Sequence, residues 1–336
     1  MNKKILTTLT SVVGVFVVLA FLVGKVYKEG QNRPPLIYSD IPESTLDFIL
    51  RLADLGGDLA GVELVVNGPF DWENEKDLGQ TDEKWSREED DYFIVYYKKD
   101  KEAEWQGYAQ NVLKTANDNI MPLTRLMGKY YYPMDINERK LPIYLTTTVD
   151  EYFETISSIS EKEQEPNNSI GITISQIGRA GCKSSIVLHP ICFSPDAPPT
   201  SNYVFVLMHE MNHFILLSSV DYSKDIELYN WEIEGIANYC ASDFTHLHEK
   251  IEDSLRIEYI KEKCLLTDNF PEEIIAQYWA GESYFYYMEK AHGKNFLKKF
   301  LRESYTRRTK EAFAEMKINQ EDEHTAWVEY LKKGGE

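Results

Sequence analysis

The chain has 336 residues, 43% of them hydrophobic, enough to bury the core of one large or two medium domains. Its net charge of −19 argues against nucleic acid as a partner and against docking on anionic lipid through a folded surface. The simplest reading of that charge is solubility.

Residues 5–24 form an uncharged run between Lys3, Lys4 and Lys25, Lys28, long enough to cross a bilayer core. The run exceeds an ordinary signal-peptide core and lacks a small-x-small cleavage site, so residues 1–28 read as an uncleaved transmembrane signal anchor. The corresponding location is the cell membrane, single-pass, with the folded part outside, the commoner arrangement for such anchors. Residues 29–40 read as a stalk, and 43–55 show helical apolar spacing that stops at Gly56-Gly57. From Asp71 to Asp91 there are ten acidic and three basic residues, a composition that suits a solvated linker better than a calcium loop. The boundary is therefore placed at its end: 29–90 as stalk, small annex and linker, 91–336 as the main domain.

The main domain opens with a β-branched and aromatic strand, Tyr92 to Tyr97. Trp105, Tyr108, Ala109, Val112, Leu113 and Ala116 follow at helical spacing, closing before Gly128. A strand at 141–147, a short helix at 149–159, and strands at 170–177 and 184–191 come next. The four cysteines suit one or two disulfides or four buried thiols, with Cys182 and Cys192 the favoured pair across a hairpin. A proline-rich turn at Pro195, Pro198 and Pro199 leads to Thr200 or Ser201 as N-cap of the next helix.

That helix, 204–217, reads VFVLMHEMNHFILL. Apolar residues on almost every side mean it is buried, and a buried helix does not carry two imidazoles and a carboxylate without partners. His209 and His213, at i and i+4, share a face at a spacing that suits two ligands of one tetrahedral Zn²⁺. Glu210 follows the first histidine, placed to take a proton from water at the open coordination position. The pattern is H-E-x-x-H. A third ligand must come from downstream, where Trp231-Glu232-Ile233-Glu234-Gly235-Ile236-Ala237-Asn238-Tyr239 offers Glu234, with Glu232 its rival on the opposite side of the helix. Small Gly235 and Ala237 would let this helix pack closely on the first. Asn238, one turn beyond Glu234, could accept the second ring N–H of a ligating histidine, with Asp243 the alternative.

H-E-x-x-H followed by W-x-x-E-G-x-A-x-Y resembles the gluzincin zinc metallopeptidases of the peptidase-MA-like group. The resemblance implies a small mixed α+β sheet packed on the zinc helix, an edge strand at Ser184 to Leu188 that pairs with the backbone of a peptide or protein substrate, and a mostly helical C-terminal part. It also implies a Tyr or His from the later aromatic helix that hydrogen-bonds the tetrahedral intermediate, for which Tyr278 and Tyr284 are the candidates. His189 on the 184–191 strand could contact substrate but is read as capped or solvent-facing before Pro190, and His246 and His248 as too far along their helix to ligate. The resulting expectation is a membrane-anchored zinc peptidase. The alternative is a non-catalytic, zinc-stabilised domain that binds a peptide or partner protein at the cell surface.

Overall fold

The computed structural model describes residues 62–66, 78–126, 140–160, 169–178, 181–218, 229–246, 274–304 and 306–333. All lie in the unit Leu36–Glu336. The stalk, the helix expected at 43–55 and His248 lie outside the described residues. The membrane placement is corrected: among the described residues no helix is long and apolar enough to cross a membrane, and residues 5–24 lie outside them, so nothing in the structure supports an anchor.

The fold is α+β. Its strands are β1 (Val62–Val66), β2 (Trp85–Glu89), β3 (Phe93–Lys98), β4 (Leu141–Leu145), β5 (Gly171–Gly178) and β6 (Gly181–Leu188). They form one mixed sheet in the order β1-β5-β6-β4-β3-β2, with β3, β4 and β6 parallel in the middle, β2 antiparallel at one end, and β5 antiparallel to β6. β1 adds to the far side of β5 in parallel, Val62 opposite Thr173 through Val66 opposite Ile177.

Three sequence expectations change here. The acidic segment contributes β2 to the sheet instead of a solvated linker. Its Trp85 is buried at the start of the strand, while Arg87 and Glu89, on the same face by alternation, are exposed and Ser86 and Glu88 are half-buried, so this end strand of the sheet is mostly in contact with water. The strand expected as an edge at Ser184 to Leu188 lies inside the sheet: β5 bonds all of it and β4 bonds Ile186 to Leu188 on the other side, while Ser184 and Ser185 pair with β5 alone. Cys192 is not in a disulfide: its buried thiol approaches the Ile170 carbonyl at 3.1 Å, and burial pushes its pKa up to about 12.

Alternation sends the two faces of the sheet to different partners. After the short helix α1 (Leu78–Thr81), three longer elements cover the sheet: Ile94, Tyr96, Tyr144, Ile172, Ile174 and Val187 pack against α3 (Val149–Ser160). The opposite face, with Val95, Ile143, Ile186 and Leu188, packs against α2 (Glu102–Leu126) and α4 (Tyr203–Leu217). Beyond α4 come α5 (Asn230–Thr245), α6 (Ile274–His292), α7 (Lys294–Ser304), α8 (Thr309–Glu315) and α9 (Gln320–Lys332). With both its sheet side and its α5 side covered, α4 is buried without interruption from Phe205 to Leu217, which explains its lack of a polar face.

Gly235 of α5 does not serve the contact with α4 but the crossing with α6. A Cβ on Gly235 would sit 2.4 Å from the Gly281 Cα, and one on Gly281 would sit 2.1 Å from the Trp231 carbonyl oxygen. Two backbones touch there, so no side chain can rotate away to make room. Gly281→Ala should therefore lower the melting temperature, at a cost of about 1–3 kcal/mol. Gly107→Ala, inside α2 with nothing near its Cβ position, should raise it by about 0.5–1 kcal/mol. Thermal unfolding of the two variants side by side checks this, and equal melting temperatures would contradict the close crossing.

Candidate metal centre

The centre begins with the cap of α4. Asn202, not Thr200 or Ser201, is the N-cap: its extended backbone turns the chain out of the prolines, and its side-chain oxygen accepts from the Val204 N–H at 3.0 Å. Two and three turns on, His209 and His213 project on one face of the helix. Their Nε2 atoms lie 2.9 Å apart with the rings nearly perpendicular.

Glu234 arrives from α5 with Oε2 at 3.2 Å from His209 Nε2 and 3.4 Å from His213 Nε2. The half-turn between positions 232 and 234 separates the two glutamates completely. Glu232 points to the start of α5, where its carboxylate accepts from the Tyr229 N–H and from the Thr309 hydroxyl of α8. It is a buried cap rather than a surface residue.

His209, His213 and Glu234 form a buried group that could hold a metal ion. His209 Nδ1 lies 2.9 Å from the Asn238 side-chain oxygen, so the ring donates there and leaves Nε2 with its lone pair. Glu234 Oε2 is buried without a hydrogen bond of good geometry. Donors bound tetrahedrally at zinc-like distances stand about 3.3 Å apart, and the three separations here scatter around that value. Lone pairs so concentrated, away from water, repel one another unless a cation lies between them. The donor set therefore fits a divalent metal. His213 Nδ1 has no hydrogen-bond partner among the described residues, so only one of the two rings is oriented through its far nitrogen.

Glu210 faces β5 beside this group. Its Oε2 accepts from the Thr173 hydroxyl at 2.8 Å, and the same hydroxyl lies 3.0 Å from the Glu210 backbone oxygen. Burial pushes the Glu210 carboxyl up to about 8, against the opposing pull of His209 and the Thr173 hydrogen bond. Burial acts on Glu234 in the same direction, but His213 and His209 overrule it and hold that carboxyl down to about 2. One carboxylate thus stays ionised beside another that readily keeps a proton, the division of roles a ligand and a proton carrier require.

The two candidate tyrosines part company. Tyr278 of α6 lies with its ring 5.6 Å from that of His209 and hydrogen-bonds Glu234; burial, then the charges of Glu234 and Glu210, keep its phenol protonated. Tyr284 is not brought to the centre. It is enclosed between Trp231 and Trp327, and its hydroxyl finds no partner among the described residues. His189 caps a short turn, its Nδ1 accepting from the Ile191 N–H at 3.1 Å, and His246 ends α5 in a left-handed conformation. Asp243 bears on Tyr286, Tyr239 and Cys240 and has no contact with either metal-facing histidine.

Thr173 and Gly171 are the site residues that sequence reasoning passed over. Their signal was present: in G-I-T-I-S the isoleucines take one face of β5 and Gly171, Thr173 and Ser175 the other, an odd choice for a buried face unless a polar group lies against it. No protein-family model matches the chain, and no curated protein matches it in sequence.

Removing bound metal with a chelator should lower the melting temperature, and Glu234→Ala should abolish that difference by removing a ligand. Glu232→Ala should melt lower both with and without chelator, by about 1–3 kcal/mol, because Thr309 loses its buried acceptor. If Glu234→Ala still binds one equivalent of metal by elemental analysis, it is not a ligand.

Proposed function

We propose that the chain is a zinc-dependent peptidase of gluzincin type, hydrolysing peptide or protein substrates. The observation that carries this reading is the convergence of two imidazole nitrogens and one ionised carboxylate on a buried point, with a second carboxylate, Glu210, beside it. The softness of the set favours zinc among divalent ions, since two imidazoles and a single carboxylate suit it better than magnesium or calcium. When bound, such an ion supplies Lewis-acid charge that polarises a carbonyl and acidifies water.

The chain's own residues do the rest. Glu210 receives the proton of the attacking water and passes it to the departing amine, a task that falls to the one carboxyl beside the group that is not itself a ligand. Tyr278, held protonated next to Glu234, has a hydroxyl to offer the oxygen that gains negative charge. Asn238 fixes the tautomer of His209 and so keeps Nε2 free to ligate.

A second reading, a domain stabilised by metal without catalysis, draws on the same burial. His213 is wholly enclosed, and Glu210 is only 2% exposed. That role needs the three ligands and has no use for Glu210.

One variant separates the two. Glu210→Gln retains all three ligands and nearly the same volume but cannot take a proton, so it should keep its zinc and lose hydrolysis of a peptide library. The rate should fall by at least about a hundredfold. Undiminished hydrolysis in a zinc-loaded Gln variant would refute the mechanism, and absence of hydrolysis in the zinc-loaded parent chain would favour the structural role.

A further inference from the structure

We infer that β5 positions the proton carrier: Gly171 and Thr173 together form a seat that holds the Glu210 carboxylate in one orientation. The catalytic consequence rests on the peptidase reading, but the geometry does not. One side of the seat is a hydrogen bond. Thr173 Oγ1 donates to Glu210 Oε2 at 2.8 Å and lies near enough to the Glu210 carbonyl oxygen, at 3.0 Å, to tie side chain and helix backbone to the same point on the strand.

The other side is space. A Cβ at Gly171 would lie 2.9 Å from Glu210 Oε1 and 2.4 Å from a Val206 methyl, so the carboxylate occupies room that only glycine leaves. Strand alternation places both residues on the α4 face, while Ile172 between them packs on the opposite side. The carboxylate has its Oε2 held by a donor and its Oε1 in the space that a side chain at residue 171 would fill, which restricts the rotamer freedom a glutamate ordinarily keeps.

Such restraint matters because a proton carrier works only within hydrogen-bond reach of the atom it serves. Thr173 touches neither metal ligand in any hydrogen bond described above, so it is a positioning residue acting through Glu210. Its loss should lower turnover without releasing the metal.

The test uses the full chain loaded with zinc. Bound zinc, kcat and KM are measured for the parent chain, Thr173→Val and Thr173→Ser on a peptide chosen from a library digest. Thr173→Val, nearly isosteric but without the hydroxyl, should keep zinc and KM and lose about 10- to 100-fold in kcat. Thr173→Ser restores the donor and should return most of the rate, which a purely steric role for the side chain would not do. A valine variant with unchanged kcat overturns the positioning role. Crystal structures of the metal-free parent and valine variant ask the same question without any activity. The Glu210 carboxylate should leave its place between residues 171 and 173 in the variant, and its staying there overturns the seat. Should valine prevent folding, Thr173→Ala supplies both readings. A parent chain that cleaves nothing overturns the peptidase reading alone, and the crystallographic comparison still decides the seat.

Discussion

Ionisable groups in the middle of an apolar helix have to be held by partners, and this requirement organises the chain from β5 to α6. An uncompensated charge or unsatisfied polar group at such depth costs several kcal/mol, a large share of the stability of any domain. The structure meets the cost group by group. His209 is satisfied by Asn238, Glu210 by Thr173, and Glu234 in part by Tyr278. What remains is a small region of lone pairs with no proton to share among them, which a cation would complete. The apolar character of α4 and the polar character of its centre are therefore two sides of one arrangement. Only a helix covered on the sheet side and the α5 side can keep water away from such a group, and only such a group makes charge inside that helix tolerable.

The parts of this arrangement that depend on local geometry were legible in the sequence. The i, i+4 spacing of the histidines and the half-turn between Glu232 and Glu234 follow from 3.6 residues per turn, and α4 and α5 have the phase this predicts. Asn238 was legible for the same reason, lying one turn from Glu234. The parts that depend on sheet order were not. Whether β6 is an edge depends on its two neighbours: β5 joins it across a two-residue connection, but β4 pairs with it past the whole of α3 and β5, a choice made by packing instead of by neighbouring residues. Thr173 meets Glu210 across 37 positions of sequence, and no periodicity spans that distance. Trp85 misled in another way. The surrounding charges suggested a solvated segment, yet the strand joins the end of the sheet with only Trp85 buried, and Arg87 and Glu89 on the same face stay exposed.

Tyr284 shows the limit of reading aromatic-rich helices. Within α6 it stands six positions after Tyr278, so the two project on different sides, one toward His209 and the other into the enclosure of Trp231 and Trp327. From composition alone both were equal candidates. Their separation depends on which face of α6 meets α5, and that is fixed by a contact with no side chain in it, the approach of Gly235 to Gly281.

This glycine crossing brings the backbones of α5 and α6 into direct contact. Glu234 immediately precedes one glycine and Tyr278 lies one turn before the other, so the carboxylate and the hydroxyl that bonds it sit on either side of a backbone-to-backbone contact. A shift of α6 along α5 would move both, but it would first drive Gly281 into the Trp231 carbonyl. Close-packed backbone deforms far less readily than a long side chain rotates, so the geometry between Glu234 and Tyr278 is held by the architecture itself. On the opposite side, β5 restrains Glu210 in a comparable manner, with a glycine and a threonine in place of two glycines. Each acidic group of the centre is thus fixed by an element other than the helix that carries it, and α4 needs only to present its residues at the right phase.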